Sequence, residues 1–448
     1  MADESRNSVE QQACAAKTAS LTLGCAPTAF KNSALRSMSR ALTAGTPTIL
    51  AANRKDVVAA ERLVAEGKLG EPLLARLQLN EKKLADMARG IRAVARQEDP
   101  VGRIEDAVEL DRGFNLYRVT ASIGVIGFIF ESRPDAVPQI VSLAIKSGNA
   151  VLLKGGREAT RTNRVLVKFL KAGLVTVKSF PSDAVQLLET RGQVHALLEL
   201  DKHINLIIPR GSNEFVRFIQ NNTRIPVLGH ADGICAVYVD SSADLEMAVK
   251  ICVDAKTQYP AVCNAMETML VHEGIAHEFL PSVKERFDAA GVTMRGCPQT
   301  RGIVSGVPAA RKADYTTEYL DLIVAVKVVS EVGAAIDHIN THGSGHTDAI
   351  VTKNRRTARR FLNGVDSACV LHNASTRFAD GFRFGKGAEV GISTNRFHAR
   401  GPVGLDGLVI YNYRATGSGQ VVRDYVDGNR KRFTHKPLIR RGRWRDLK

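Results

Sequence analysis

The chain predicts an α/β protein made of two tandem, doubly wound parallel-sheet units. Three observations lead there. From residue 123 onward, continuous apolar runs of strand length alternate with helical stretches, the pattern of a parallel sheet covered on both faces. The alternation restarts near residue 230, after one full series. The composition is globular, with 44% of the 448 residues hydrophobic and 24% charged, which excludes a disordered, collagen-like or coiled-coil chain.

The elements follow in order. Residues 10–100 are rich in Ala, Leu, Arg and Lys at helical spacing and predict helices. Phe114, Leu116 and Val119 sit among polar residues after an Asp111-Arg112-Gly113 turn signal, which predicts an exposed hairpin over 101–121. The run 123–130 predicts a strand buried on both faces. Pro134 suits the first turn of the next helix and Gly148 its stop. Strands at 150–153, 184–188 and 204–208, with helices at 162–172, 194–200 and 214–220, complete the first unit. The second unit has strands at 234–239, 267–272, 322–329, 348–352 and 367–371, separated by helices at 243–256, 275–289, 331–340 and 355–364. Glycine is dense over 381–407, which predicts close-approach loops beside a site, and 408–413 predicts a late strand. No internal repeat is visible.

The longest apolar run is about eight residues, far below the ~20 that a membrane helix needs. The acidic start lacks an apolar core, so no signal peptide is expected. Seven cysteines without a C-x-x-C spacing predict reduced thiols in a cytosolic compartment, and neither a disulfide framework nor a zinc site. The net charge of +16 invites a nucleic-acid reading. Half of it, however, lies in residues 430–448, where nine Lys and Arg face one acid, Asp446. A solvated basic tail over 426–448 is the expectation, and an RNA or membrane-surface contact is the alternative. A third possibility has Leu438, Ile439 and Trp444 anchoring the tail on a neighbouring subunit. Trp444 is the only Trp, and one aromatic among arginines is no stacking platform, which argues against nucleic acid.

Two nucleotide motifs are missing. No G-x-G-x-x-G follows a strand, and Gly385-Lys386-Gly387 lacks phosphate-loop spacing, which argues against a kinase. A dinucleotide site must then be of another design. Lys154-Gly155-Gly156 and Ile208-Pro209-Arg210-Gly211-Ser212 both lie where a strand ends and a helix begins, the edge at which parallel sheets bind nucleotides. Cys263, in Gln258-Tyr259-Pro260-Ala261-Val262-Cys263-Asn264-Ala265, falls between a predicted helix and a predicted strand. It is either a thiolate nucleophile that forms a thioester or a small buried hydrophobe. Cys235 and Cys252 lie inside apolar patterns and are expected to be structural. The run Gly343-Ser344-Gly345-His346-Thr347 is either an anion-binding loop or a tight connection, and His346 and His230 could equally be ordinary loop residues.

Over residues 30–420 the sequence resembles the γ-glutamyl phosphate reductase branch of the aldehyde dehydrogenase superfamily. The resemblance rests on Gly124-Val-Ile-Gly-Phe-Ile-Phe-Glu-Ser-Arg-Pro134, Lys146-Ser-Gly-Asn-Ala150, Ile207-Ile-Pro-Arg-Gly211 and His230-Ala-Asp-Gly-Ile-Cys235. It rests also on Ala255-Lys-Thr-Gln258, Cys263-Asn-Ala265, Thr317-Glu-Tyr-Leu-Asp-Leu322, Gly343-Ser-Gly-His-Thr347, Asn373-Ala-Ser-Thr-Arg-Phe378 and His398-Ala-Arg-Gly-Pro402. Tyr259 departs from the pattern, where a polar residue is expected.

The resemblance implies an aldehyde dehydrogenase-like fold. A cofactor-binding domain would span 1–100 and 122–229, and a catalytic domain 230–399. An oligomerisation hairpin and strand would come from 101–121 and 400–425. It implies that Cys263 is the catalytic nucleophile, with Asn264 or Arg133 stabilising the oxyanion. Lys154, Pro209, Gly211, Ser212 and Glu318 would hold NADPH. His346, Arg377 and Arg400 would bind the phosphate and the α-carboxylate of L-glutamyl 5-phosphate. His230 stands where hydrolytic relatives carry the glutamate that activates water, which suits exchange of the thioester with phosphate. The implied reaction is NADPH-dependent reduction to L-glutamate 5-semialdehyde, a step of proline biosynthesis, in a cytoplasmic homo-oligomer with a functional contact to a glutamate 5-kinase that is not fused to this chain. The rivals are a general NAD(P)-dependent aldehyde dehydrogenase and an RNA-binding protein on a dead dehydrogenase fold. A glutamate at 230 would favour the first, and a lost Cys263 the second.

Overall fold

The computed structural model describes residues 2–131, 133–230, 232–426, 431–438 and 442–446. Five helices open the chain: Ala2–Cys25, Thr28–Ala44, Thr46–Ala65, Glu71–Leu77 and Glu81–Arg96. Asn80 caps the fifth by accepting the Lys83 N–H at 2.8 Å. The passage from helix to strand is held by Lys31, fully buried and 2.6 Å from an oxygen of Asp99. A hairpin follows, β1 (Arg103–Asp111) antiparallel to β2 (Phe114–Ser122), turning at Gly113 with φ 74°.

The first parallel sheet contains β3 (Val125–Phe130), β4 (Ala150–Lys154), β5 (Val185–Leu188) and β6 (Leu206–Arg210), in the order β5-β4-β3-β6. Every residue of β3 and β4 is buried, which is why their sequences are unbroken apolar runs. The opening helices and the crossover helices Ala136–Lys146 and Thr160–Leu174 share one core with this sheet, including Leu35, Met38, Phe128, Ile140 and Leu166.

The second parallel sheet contains β7 (Cys235–Val239), β8 (Met266–His272), β9 (Thr293–Gly296), β10 (Ile323–Val329), β11 (Thr347–Val351) and β12 (Cys369–His372), in the order β12-β11-β7-β8-β10-β9. Sequence patterning does not mark β9 or the helix Pro298–Ile303 after it. Both are short, and the strand sits at the sheet edge and so needs no apolar run on two faces. Among the described residues no helix is long and apolar enough to cross a membrane.

The segment 400–425 does not join the hairpin as one piece. Ile392–Ser393 (β13) and Gly401–Pro402 (β14) pair with each other, and only β15 (Val409–Thr416) runs antiparallel to β2. On the far side of the hairpin, Lys436–Pro437 (β16) and Gly442–Arg443 (β17) pair with β1.

Residues 431–437 are exposed, as a solvated tail predicts, but the expectation fails for Leu438, Arg443 and Trp444, which are partly buried. Leu438 and Trp444 pack on a cluster of Ile104, Ala107, Tyr117 and Val119 in the same chain. The Trp444 ring meets Tyr117 edge-on at 5.4 Å, and the Arg414 guanidinium lies over it at 5.0 Å. The Arg443 side chain donates to the Asp99 carbonyl at 2.8 Å. The hairpin is thereby less exposed than its alternating sequence suggests. Ile439, Arg430, Arg440, Arg441 and Lys448 lie outside the described residues.

Trp444→Ala should cost about 1–2 kcal/mol of stability, since the half-buried ring carries one aromatic and one cation–π contact. As Trp444 is the only Trp, its fluorescence also reads docking directly. Native emission should be blue-shifted, and Tyr117→Ala should move it toward that of free indole. Solvent-like emission from the native protein would contradict the docked tail.

Candidate active site

The site lies where the C-terminal edge of the first sheet meets the N-terminal edge of the second. In the first sheet the winding direction reverses between β3 and β6, so the loops after these two strands flank a crevice of the kind that binds ligands in open parallel sheets. Glu131 follows β3, and Gly211 and Ser212 follow β6. The Ser212 N–H, at the start of the helix Asn213–Asn221, donates to Glu131 Oε2 at 2.9 Å. A Cβ on Gly211 would stand 2.6 Å from that oxygen, so glycine is what lets the carboxylate approach. Pro209 lies within β6 opposite Ile129. Lys154 ends β4 and is 7% exposed, with its ammonium turned onto the Gly155 carbonyl and its pKa lowered by burial.

In the second sheet the chemistry stands before the strands rather than after them. Gly233 and Ile234 precede β7, Cys263 precedes β8 and His346 precedes β11. The three starts are stitched together. Ile234 N–H donates to Ser344 Oγ at 2.9 Å, and Cys235 Sγ donates to the Cys263 carbonyl at 3.2 Å. A Cβ on Gly233 would sit 2.2 Å from Cys263 O and 2.6 Å from Cys263 Cβ, so no larger residue fits behind the thiol. Ala265 N–H closes a turn onto Val262 O at 3.0 Å around Cys263 and Asn264. Lys256 at the end of the preceding helix and Glu267 in β8, both fully buried, pair at 2.7 Å across the base of that turn. Burial raises the Glu267 pKa and lowers that of Lys256, while each favours the charged form of the other.

Cys263 is partly exposed, unlike Cys235 and Cys252, which are buried and whose thiols burial pushes up. Two imidazoles flank it. One ring nitrogen of His230, one of His346 and Cys263 Sγ all lie within 4.8 Å of one another. His230 Nδ1 is 2.6 Å from the Ile392 carbonyl, and His346 Nδ1 is 2.9 Å from Thr347 Oγ1. Burial holds both rings below the ordinary histidine pKa, so both are neutral at physiological pH, although the neighbouring Cys263 side chain acts in the opposite sense on His346. A neutral imidazole beside a thiol is a base able to take its proton.

The other expected residues fall into two groups. Glu318 accepts from Asn213 Nδ2 at 2.9 Å, and that amide also reaches Asp232 at 2.8 Å, so the helix after β6 is joined to the Cys263 side of the seam. Burial raises the Glu318 pKa. Arg133 lies within electrostatic range of Cys263, and its own pKa is pushed down to about 10 by burial and by Arg210 and Arg76. Arg377 is 9% exposed, also lies within electrostatic range of Cys263, and donates to Gln258 Oε1 at 3.0 Å. Asn264 has its amide committed to the Ala379 carbonyl at 2.8 Å, and its Oδ1 is buried without a partner. Arg400 is bound to Asp366 at 2.9 Å. A cleft of about 650 Å³ opens beside the Cys263 loop, lined by Arg76, Lys83, Arg133, Gln139 and Tyr259 among others.

Sequence reasoning misses Glu131, Asn213, Gly233 and Asp348. Only Asn213, one residue past the strand–helix turn, carries a positional signal. Asp348 is fully buried in β11, two residues after His346, and accepts from Ala236 N–H at 2.7 Å and from Ser367 Oγ at 2.5 Å. Burial raises its pKa to about 7. That lies above the unfolded value of about 3.9, so its contribution to stability is complete below pH ~4 and lost as pH rises through ~7. Asp348→Asn keeps the acceptor for Ala236 and gains a donor for Ser367. Its denaturation midpoint, relative to wild type, should improve from about pH 5 to about pH 8, and parallel pH curves would mean that Asp348 ionises normally.

Comparison with known proteins gives the lineage. The aldehyde dehydrogenase family model matches residues 75–302. A γ-glutamyl phosphate reductase of Pelotomaculum thermopropionicum is 56% identical over 422 residues, which is 94% of this chain and 96% of that protein. One from Methanococcoides burtonii is 51% identical over 435 residues, 96% and 97% of the two chains. The crystal structure of the γ-glutamyl phosphate reductase of Thermotoga maritima superposes with a TM-score of 0.89 at 41% identity, covering 92% of this chain and 99% of that one. An acetylating aldehyde dehydrogenase of Geobacillus thermoglucosidasius, 16% identical, shares the fold with a TM-score of 0.65 over 94% of this chain and 98% of that one. Near relatives thus match this chain along almost its whole length in sequence and in fold, and the chain belongs to the γ-glutamyl phosphate reductases of the aldehyde dehydrogenase family.

Proposed function

We propose that this protein reduces L-glutamyl 5-phosphate to L-glutamate 5-semialdehyde and phosphate, through a thioester on Cys263, in the route from glutamate to proline. The observation that carries the reading is the setting of Cys263, with neutral His230 and His346 beside it and no carboxylate among the three converging donors. The carboxylate with which a hydrolytic dehydrogenase would aim water at the acyl-enzyme is not among these donors, whereas an acyl phosphate needs only a thiolate and a way to accommodate departing phosphate.

The cofactor site is tested by its donors. The helix N-terminus at Ser212 already holds a carboxylate oxygen at hydrogen-bond distance, the geometry in which backbone amides take a phosphate oxygen. The Lys154 ammonium stands at the end of β4, two strands away in the same edge. These residues fit a phosphate-bearing cofactor at the sheet's switch point, with Glu318 on the opposite wall. NADPH bound there supplies hydride.

The chain's own residues do the rest. His346 takes the Cys263 proton, and the thiolate attacks the acyl carbon. The bond to phosphate breaks, and its charge leaves toward Arg133 and Arg377, the guanidinium groups within electrostatic range of Cys263. Arg400, tied to Asp366, has less to offer the substrate. After reduction the thiohemiacetal returns the thiolate and releases the aldehyde, and the proton goes back from His346. The open edge strand β15, with exposed Ile410, Tyr411 and Tyr413, supports pairing with a second copy of the chain.

The test is the reverse reaction. With L-glutamate 5-semialdehyde and NADP⁺, reduction of the cofactor should require inorganic phosphate, and phosphate-independent turnover would favour a hydrolytic dehydrogenase. Cys263→Ala should lower kcat by at least about 10³-fold, and a variant keeping more than about a tenth of the rate would rule out covalent catalysis by this residue. Lys154→Ala and Glu318→Ala should each raise the KM for NADPH with a milder effect on the glutamyl substrate, because ribose contacts bind ground and transition states alike. An unchanged cofactor KM in both would place the cofactor elsewhere.

A further inference from the structure

We propose that His230, Cys263 and His346 form a binding site for one borderline-soft divalent cation, Zn²⁺ foremost, that takes the nucleophile out of reaction. They are the one group of three such donors that converge among the described residues. They come from the segments before β7, β8 and β11, so the cluster exists only in the folded sheet.

The histidines are set as metal ligands are set. Imidazole ligands characteristically bind a metal through one nitrogen and fix the ring through the other. A carbonyl oxygen only accepts, so the 2.6 Å contact with Ile392 places the proton of neutral His230 on Nδ1 and leaves Nε2 with its lone pair. His346 Nδ1 is engaged by Thr347 Oγ1, and its Nε2 is buried without a hydrogen-bond partner in a side chain that is 0% exposed. Beside it stands the Cys263 side chain, so a ligand taken by this nitrogen would be shared with the thiolate. The two rings meet edge to face at 4.7 Å and an interplanar angle of 77°, so their nitrogens are not stacked away from each other.

The chemistry selects the ion. One thiolate and two imidazoles favour Zn²⁺ over the oxygen-seeking Mg²⁺ or Ca²⁺. Bonds of about 2.0–2.1 Å to nitrogen and about 2.3 Å to sulfur set tetrahedral donors about 3.5 Å apart. The donors here are within 4.8 Å of one another, so binding draws the three side chains together by about 1 Å at most. Cys263 is partly exposed, which leaves a path for the ion and a fourth position for water. The Glu318 carboxylate lies within electrostatic reach of His230 and adds negative charge. On binding, the Cys263 thiol gives up its proton to solvent and a sulfur–metal bond forms. The sulfur lone pair that would attack an acyl carbon is then committed. That the metal stops turnover rests on Cys263 being the nucleophile, whereas the binding itself does not.

The test uses the full, tag-free, reduced chain. Co²⁺ serves as the spectroscopic probe and Zn²⁺ as the competitor. One equivalent of Co²⁺ should give a thiolate-to-cobalt charge-transfer band and tetrahedral ligand-field bands, and Zn²⁺ should erase both. Cys263→Ser should lose the charge-transfer band. His230→Gln and His346→Gln should each weaken Zn²⁺ at least about tenfold against a chromophoric chelator, a loss that even outer partners of metal ligands cause. A measurement on the wild type needs no variant to fold: one equivalent of Zn²⁺ should slow alkylation of Cys263 at least tenfold while the exposed Cys14 and Cys25 react as before. Absence of the charge-transfer band, equal Zn²⁺ affinity in Cys263→Ser, or unchanged alkylation of Cys263 would overturn the site. If Cys263→Ala still reduced the acyl phosphate while the wild type bound Co²⁺ as described, the functional reading would fall and the metal site would stand.

Discussion

The buried ion pair of Lys256 and Glu267 is the constraint on which the catalytic side of the molecule depends. One partner ends the helix that leads into the Cys263 loop, and the other stands in the strand that leaves it. A loop held at both feet by one charge pair cannot drift in register, because moving either foot would strand a charge in the interior. Breaking such a pair by removing one partner costs about 3–5 kcal/mol. Glu267 also receives the Leu320 N–H at 3.4 Å, where Leu320 has a φ of 53°. The segment that carries Glu318 is thereby hung from the same carboxylate, and the left-handed turn aims it toward the seam. The candidate nucleophile and the candidate cofactor ligand share one anchor.

From that anchor the two sheets divide the work by polarity. The first sheet offers its C-terminal edge, where a helix N-terminus and a lysine suit anionic groups. The second offers its N-terminal edge, where three chain segments arrive side by side and backbone approach is close enough to exclude any side chain at Gly233. Opposed edges bring the helix N-terminus at Ser212 and the Cys263 thiol to one seam through short connections. The Asn213 amide, bridging Asp232 and Glu318, fixes the spacing across the seam.

The legible parts of the molecule are those whose signal is local. Strands such as Val125–Phe130 and Ala150–Lys154 announce themselves because burial on both faces demands an unbroken apolar run. Cys263 is legible as a candidate from its place between a helix and a strand. Glu267 is not, because in Met266–His272 a single acid resembles an outward-facing residue of an alternating strand. The convergence of His230 with His346 depends on strand order, and no spacing in the sequence encodes it. The basic segment misleads for a related reason. Its arginines dominate the composition, while the few apolar residues that matter, Leu438 and Trp444, have their partners in the distant hairpin.

That pairing bears on how the chain reaches its fold. Strand β1 carries free backbone donors and acceptors along one side until β16 and β17 cover them, and the contact between Arg443 and Asp99 spans 344 positions. During synthesis the hairpin leaves the ribosome long before its cover exists. For that interval it presents an unpaired edge, open to any other strand. The residues that border this edge bear on the hazard. Arg103, Glu105, Asp106 and Glu109 are charged along β1, which disfavours pairing with a second nascent copy presenting the same pattern. The oppositely charged Lys436 then settles beside Glu109. Charge along a strand edge that only the tail pairs thus disfavours wrong pairing in the interval before the native contacts form.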